Sequence, residues 1–513
     1  MILSWVRQHA LAADGSEPRY KAIAEVIAHG IKAGQIPTGR RLPTVRELAK
    51  SLGVSDTTIA AAYRLLRQQG QVEGRVGSGT YVIQEPDRTR ANQASPPMYR
   101  AGVDRERSMA WSPPWRRRTL TAHAGHLRAA FPAALDCTSG RPDPALFPLA
   151  QLQRAWRFAI DQMTYDGLQY AGPYPIAPLA KQVVLGLERE GVVVKESDIA
   201  VGSSAQQLIM LSLRVISTVL GKVKLTVAVE EPGYATIFDS LGRLGHRLVG
   251  MKMDDQGALP ASLEEALASG ANVVLLTPRA HNPTGASWSL ERKAALAEIL
   301  ARHPGATAIE DDYFAGATTS RPGSLLTDER LEDRVIYIRS FSKSVAPDFR
   351  LAVASVRPRL RALLMEEKSF ADGWSSHLAQ FAMATLLADP EVKDILATAA
   401  QAYADRRRAA TSSLLSESGG LARVASAGDG VNVWINLSPE VHPSEAIEQA
   451  AALGVLIAPG EPFFLDMGHN NAVRFNAGSA KSVDQAFEIG RILSRAIIQA
   501  AEDSSGSFLI PHV

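Results

Sequence analysis

Arg339-Ser-Phe-Ser-Lys-Ser-Val-Ala-Pro-Asp-Phe-Arg350 decides how the chain is read. It follows Val335-Ile-Tyr-Ile338, a β-branched apolar run that predicts a buried parallel strand. Lys343 therefore falls just past a strand end, where open α/β sheets carry their chemistry. A lysine amine does covalent chemistry only when partly deprotonated, so it needs a desolvating pocket or neighbouring cations. Ser340, Ser342 and Ser344 surround it, and Arg350 follows. Hydroxyls beside a guanidinium suit a phosphate, because Arg donates forked, charge-assisted hydrogen bonds to its oxygens. Lysine, strand end and phosphate anchor together predict a Schiff-base site for pyridoxal 5'-phosphate (PLP). Alone, the segment also reads as a Ser-rich surface loop.

Outward from it, runs at 226–230, 273–277, 307–310 and 351–356 alternate with helical stretches, an α/β pattern with a mostly parallel sheet. Polar clusters at these strand ends extend the lysine argument. Gly202-Ser-Ser-Ala-Gln-Gln207 opens a Leu- and Ile-rich helix whose N-terminal N–H groups can hold a phosphate. Glu231-Pro-Gly-Tyr234 supplies a ring suited to stacking on a pyridine. Asn282-Pro-Thr-Gly285 offers an amide for the phenolic oxygen. Glu310-Asp-Asp-Tyr313 offers a carboxylate, Asp311 or its neighbour Asp312, to hold a pyridinium proton. Arg474 suits a bidentate carboxylate.

The first 83 residues read differently. A helix over 18–36 is followed by Leu42-Pro43-Thr44, where Thr44 and Glu47 have capping-box spacing. That second helix stops at Gly53, and Ser55 opens a third running to about Gln69. Val72 and Gly77-Ser-Gly-Thr-Tyr-Val-Ile83 then predict a two-stranded wing. Helix, tight turn, helix is a DNA-binding pattern, with a small helical dimerisation domain as the alternative. Residues 84–130, punctuated by Pro86, Pro96-Pro97 and Pro113-Pro114, read as an extended, semi-rigid tether. Within it Arg116-Arg-Arg118 reads as solvated or touching DNA, and Trp111 and Trp115 as docking points.

Residues 1–83 resemble the GntR-type winged helix-turn-helix. The resemblance implies that the helix from Ser55 enters the major groove, with Arg46 at the phosphate backbone. It makes Arg46, Ser55, Thr57 and Thr58 the leading DNA contacts, with Arg40, Arg41, Arg64 and Arg75 as backbone partners and Gly77 in the wing. Asp56 stands where the family often has Arg, and reads as a first-turn capping acid in preference to a cytosine contact. Residues 131–513 resemble the class I/II aminotransferases of PLP fold type I, a large domain with a smaller C-terminal α+β subdomain. That likeness implies an internal aldimine at Lys343, a pyridine-nitrogen partner in Asp311 and a stacking ring in Tyr234. Asn282 and Tyr313 would address the phenolic oxygen. Ser203, Ser204, Ala205, Gln206, Ser340 and Arg350 would hold the phosphate, and Arg474 an effector carboxylate. Tyr170 matches a tyrosine that reaches the neighbouring subunit's phosphate. Ser203-Ser204-Ala205 departs from the usual Ser-Gly-Ala, and the added Cβ narrows that turn.

The combination resembles the MocR subfamily of transcriptional regulators. It implies a homodimer, head-to-tail, binding double-stranded operator DNA and sensing PLP itself or a small amino compound. A working aminotransferase with a DNA-binding appendage is the competing class.

Composition sets the limits. The chain has 513 residues, 46% hydrophobic and 21% charged, room for two or three globular domains. One cysteine, Cys137, excludes an internal disulfide framework and a multi-Cys zinc site and fits a reducing compartment. No signal peptide or membrane span is legible, so the expectation is a cytoplasmic protein. The net charge of +2 hides an asymmetry: residues 1–82 carry 11 Lys/Arg against 6 Asp/Glu, and 83–130 carry 9 against 4. A basic front end ahead of an acidic body points to an anionic partner for the front end.

Overall fold

The computed structural model describes residues 19–32, 36, 40–68, 72–75, 79–82, 115–331, 333–424, 428–466 and 471–506. The chain divides into two compact units, Met1–Val103 and Asp104–Val513.

In the first unit, helices Arg19–Lys32, Val45–Leu52 and Asp56–Gln68 precede β1 (Val72–Arg75) and β2 (Gly79–Val82), which pair antiparallel. Ile23, Ile27, Leu48, Ile59, Leu66, Val72 and Val82 converge on one core. The sequence dictates the turn. Thr44 Oγ1 accepts from the Glu47 N–H at 3.3 Å, and the Glu47 carboxylate accepts from the Thr44 N–H at 2.8 Å, closing the capping box. Gly53 ends that helix at φ 64°, a left-handed position costing a Cβ-bearing residue energy. Ser55 Oγ accepts from the Thr58 N–H at 3.2 Å and starts the next helix. Its first residue is Asp56, in keeping with a first-turn acid. Beyond the sequence reading, Leu42 N–H donates to Thr80 O and Val82 N–H to Arg40 O, so residues 40–42 run alongside the wing.

The second unit holds β3 (Leu135–Asp136), β4 (Ile199–Gly202), β5 (Thr226–Glu231), β6 (Arg247–Asp254), β7 (Gly257–Ala258), β8 (Val273–Leu276), β9 (Thr307–Asp312), β10 (Val335–Ser340) and β11 (Ala352–Val356). The large sheet has the order β4-β11-β10-β9-β8-β5-β6-β7. Strands β10, β9, β8, β5 and β6 are parallel, while β11 runs antiparallel to both its neighbours. Apolar clusters cover both faces, so these strands read as continuous apolar runs. Beyond them lie β12 (Ala422–Val424), β13 (Asn432–Leu437), β14 (Val455–Leu456), β15 (Ala458–Pro459) and β16 (Ala472–Asn476). A four-stranded sheet, β12-β13-β16-β15, packs with helices Pro443–Ala452 and Val483–Gly506 around its own core, the expected α+β subdomain.

The tether reading extends too far. Residues Trp115–Ala130 form a helix, and Arg116 is neither solvated nor free for DNA. Its guanidinium donates to Phe464 O (3.1 Å) and Leu465 O (2.9 Å) and pairs with Asp239 at 3.4 Å, while its Cζ lies over the Trp115 ring. Arg117 and Arg118 stay exposed. The expected tether thus gives way by residue 115 to an element of the large domain; its earlier part, with Trp111, lies outside the described residues.

Candidate functional site

Register assembles the site. Ser340 at the end of β10 lies opposite Ala352 at the start of β11, which lies opposite Gly202 at the end of β4. The segments carrying Lys343, Arg350 and Ser203 therefore leave the sheet at one edge. Beside them β9 pairs with β10 so that Asp311 faces Ile338 and Asp312 faces Arg339.

Lys343 Nζ donates to Gly140 O at 3.0 Å. Burial, with Arg474 and Arg141 as neighbouring cations, pulls its pKa down to about 8. A fraction of the amine is thus neutral near physiological pH, as covalent chemistry requires. Asp311 has a buried Oδ1 with no partner, and burial together with Asp312 pushes its carboxyl up to about 7. Asp312 is engaged through Oδ2, which accepts from Tyr337 Oη at 2.5 Å and pairs with Arg279 at 2.9 Å, while its Oδ1, like that of Asp311, is buried without a partner.

Arg474 on β16 is buried and stacked over Phe463, 4.7 Å from Cζ to the ring centroid. Its Nη1 donates to Asn282 Oδ1 at 2.9 Å and its Nη2 to Thr138 O at 2.5 Å, while Nε has no partner. Burial lowers its pKa to about 10. Because Asn282 accepts through Oδ1, its NH₂ faces away from Arg474 and remains for another oxygen. Tyr313 Oη donates to Ala280 O at 2.5 Å and accepts from Asn432 Nδ2 at 3.3 Å, so its proton is committed to the protein. Tyr234 caps the helix Ala235–Arg243 with its ring exposed.

After β4, helix Ala205–Leu220 begins after Ser204, whose Oγ accepts from the Gln207 N–H at 3.1 Å. Ala205 and Gln206 occupy the first turn, where helical N–H groups point outward at an anion. Ser203 differs from expectation. Both its N–H (2.7 Å) and its hydroxyl (3.0 Å) donate to Gln207 Oε1, so its side chain is spent on the loop. Gln207 in turn donates to Asp372, which pairs with fully buried Lys368. Gln206 donates to Ser240 at 3.2 Å. Ser340 Oγ accepts from the Ser342 N–H, and Arg350 is exposed with φ 51°. Tyr170 is 91% exposed, its ring edge-on to Trp374 at 5.5 Å. Sequence reading missed Gln207, Asn432 and Gly140, whose partners come from distant segments.

These residues fit PLP on a specific observation: Asp311 keeps a buried oxygen without a partner, on the strand beside the one that leads to an amine held partly neutral. Bound there, PLP would supply an electron sink.

In the DNA-binding unit, Arg40, Arg41 and Arg46 are exposed. Ser55 and Thr58 share a hydroxyl hydrogen bond at 2.8 Å. The side chains of Thr57, Arg64 and Arg75, and Gly77 altogether, lie outside the described residues. Among the described residues no helix is long and apolar enough to cross a membrane, and no His, Cys, Asp or Glu cluster could hold a metal.

Comparison with known proteins gives the same two parts. Residues 19–82 match the gntR family of bacterial regulatory proteins, and residues 116–489 match aminotransferase class I and II. The chain is 31% identical over 445 residues to the vitamin B6 salvage pathway transcriptional repressor PtsJ of Salmonella typhimurium, covering 86% of this chain and 90% of that protein. It is 27% identical over 407 residues to the probable rhizopine catabolism regulatory protein MocR of Rhizobium meliloti, covering 77% of each. The fold matches LysN, the alpha-aminoadipate aminotransferase of Thermus thermophilus, solved with N-(5'-phosphopyridoxyl)-L-leucine. The TM-score is 0.64 at 24% identity, over 77% of this chain and 99% of that one. Two family matches on one chain, in this order and over nearly its whole length, make it a member of the MocR subfamily of GntR-type transcriptional regulators, with an aminotransferase-like domain behind the DNA-binding one.

Proposed function

We propose that the chain regulates transcription according to what occupies Lys343. The observation that carries this reading is the Lys343 amine, which donates to Gly140 O at 3.0 Å and has its pKa lowered to about 8 by burial and nearby cations, on a chain that also bears a DNA-binding domain. Lys343 would hold PLP through its aldehyde carbon, with release of one water. Asp311 would hold the pyridine nitrogen, Tyr234 would cover the ring, and Asn282 would offer its NH₂ to the phenolic oxygen. The N–H groups of Ala205 and Gln206, with Ser204, Ser340 and Arg350, hold the phosphate. The effector is PLP itself or a small amino compound whose carboxylate Arg474 takes. The vitamin B6 role in the name of the PtsJ relative supports the first. The protein works in the cytoplasm as a head-to-tail homodimer, with exposed Tyr170 completing the partner's phosphate site. An effector shifts such a dimer only through unequal affinity for its two states.

The second reading is catalysis, and the same amine favours it: a lysine near 8 also serves as a proton-transfer base once released. Two measurements separate the readings. Footprinting of the DNA upstream of the chain's own gene, with and without PLP, should give a protected site whose affinity falls steeply with salt. Turnover of amino donors and keto acids should stay well below the roughly 1 s⁻¹ of ordinary enzymes. No protected region under any condition removes the regulator reading.

A further inference from the structure

The stretch Thr138-Ser-Gly-Arg141 is strapped to the site by all four of its carbonyl oxygens. Arg474 Nη2 donates to Thr138 O at 2.5 Å, and Lys343 Nζ to Gly140 O at 3.0 Å. Asn476 Nδ2 donates to Ser139 O and Arg141 O, each at 2.7 Å. Two of the strap's three tethering side chains are therefore the two groups that face a ligand. The strap also lies hard against the subdomain: a Cβ on Gly140 would come within 2.7 Å of Asn432 Oδ1.

The strap connects in both directions. Asp136, at the end of β3, accepts from the Thr138 N–H (2.9 Å) and hydroxyl (2.6 Å) through Oδ1, and from Arg128 Nε (2.7 Å) through Oδ2. Arg128 sits in the last turn of the helix Trp115–Ala130. The other end of that helix is also fastened to site elements. Arg116 donates to the carbonyls of Phe464 and Leu465, next to the Phe463 ring on which Arg474 stacks. Arg117 N–H donates to Asp239 at 3.0 Å, in the helix that begins after Tyr234. In sequence, this is the first described helix after the DNA-binding domain.

We propose that the helix Trp115–Ala130 is the output element of the site, loosened at its Arg128 end when Lys343 and Arg474 exchange strap carbonyls for ligand. The inference rests on the reading that Lys343 carries the cofactor. A lysine ammonium offers three protons, and the amine two. Once Nζ is double-bonded to an aldehyde carbon, with that aldehyde's oxygen lost as water, it would keep at most one. Gly140 O then loses its donor. A carboxylate on Arg474 competes for the forked N–H pair that now serves Thr138 O and Asn282. Asn476 alone keeps its hold, at the strap's second and fourth residues. The Arg128–Asp136 pair is half-exposed and weak on its own. It matters because it and the short 131–134 link join strap and helix at one point. Coupling of this kind is reciprocal, so a change in helix position imposed from the DNA side alters ligand affinity by the same factor.

The test is hydrogen–deuterium exchange of the full chain, read on peptides covering 115–130 and 131–143, with absorbance near about 420 nm reporting cofactor attachment. Adding PLP to the wild type should speed exchange of the strap amides roughly tenfold, as expected when charge-assisted hydrogen bonds are lost, and should also speed exchange in the Arg128 turn. Lys343→Met, which lacks the donor to Gly140 O, should show the faster strap without cofactor and no further change when PLP is added. A band near 420 nm with strap exchange unchanged or slowed overturns the inference and leaves the cofactor reading standing, and so does a strap that responds while the helix does not. Absence of the band overturns both.

Discussion

Asp311 and Asp312 are consecutive on β9 and meet different surroundings: each keeps a buried Oδ1 without a partner, but Asp312 Oδ2 also holds Tyr337 at 2.5 Å and Arg279 at 2.9 Å. Strand alternation makes the difference, since neighbouring side chains leave a sheet on opposite faces. Asp312 belongs to a buried network in which Glu190 receives Arg279 at 2.6 Å and Arg339 at 2.9 Å.

The two residues should therefore fail differently when neutralised. Asp311→Asn removes the carboxylate that would hold a pyridinium proton while leaving a side chain of equal size. PLP affinity, read by absorbance titration, should fall more than about tenfold, with the unfolding midpoint nearly unchanged. Asp312→Asn leaves Arg279 short of a counter-charge in the interior and should cost roughly 3 kcal/mol in denaturant unfolding. The reverse pattern would show that Asp312 meets the cofactor.

Lys343 sets a pH dependence. Only the neutral amine attacks an aldehyde, so the rate of cofactor attachment should rise through a midpoint near 8 and level off above it. Linkage has a definite sign. The folded value lies below the ordinary 10.5, so the folded protein binds fewer protons between those values, and the stability of the cofactor-free protein rises with pH across that window. Lys343→Met should abolish both the kinetic midpoint and this part of the stability slope. A wild-type attachment rate that keeps rising about tenfold per pH unit from 8 to 10 without levelling would mean that the amine is not depressed at all.

The DNA-binding unit allows a cleaner separation of fold from contact. Thr44 stabilises a helix end through the capping box, so Thr44→Ala should cost about 1 kcal/mol of that unit's stability. Arg46 is exposed on the same helix. Arg46→Ala should leave stability alone, weaken binding to all DNA sequences alike, and lower the slope of log affinity against log salt by about 1. A loss confined to one operator sequence would instead make Arg46 a base contact.

What could be read from the sequence follows the range of the interactions. The capping box, the Gly53 stop and the strand before Lys343 were legible because each depends on residues a few positions apart. The helix at Trp115 was not. It opens on three arginines with no acid in its first turn, contrary to the charge preference of a helix N-terminus, and has no wide apolar stripe. Its anchors, Asp239, Phe464 and Leu465, are more than a hundred residues away in sequence. The helix that begins after Ser204 was legible, but the partners of Ser203 were not: Gln207 claims both donors, steered by Asp372 and the buried Lys368. Asn432 likewise meets Tyr313 only because β13 is brought alongside from the subdomain.

Tyr170 offers a test of which subunit owns each site. Its ring is almost fully exposed, and Tyr165 and Leu168 beside it are also exposed, an arrangement suited to a partner's surface. If its hydroxyl serves the partner's phosphate, Tyr170→Ala should weaken PLP binding in the homodimer about tenfold or more, the usual effect of losing a hydrogen bond to a charged group. Lys343→Met homodimers should bind no PLP covalently. A hybrid dimer made from one subunit of each kind then becomes decisive. The subunit with Tyr170→Ala keeps its own Lys343 and borrows an intact Tyr170 from its partner, so one site is whole and the other lacks both groups. Titration of the hybrid should recover wild-type affinity at half the wild-type stoichiometry. If Tyr170 acted within its own subunit, the only site with a lysine would lack the tyrosine, and the hybrid would bind as weakly as the Tyr170→Ala parent.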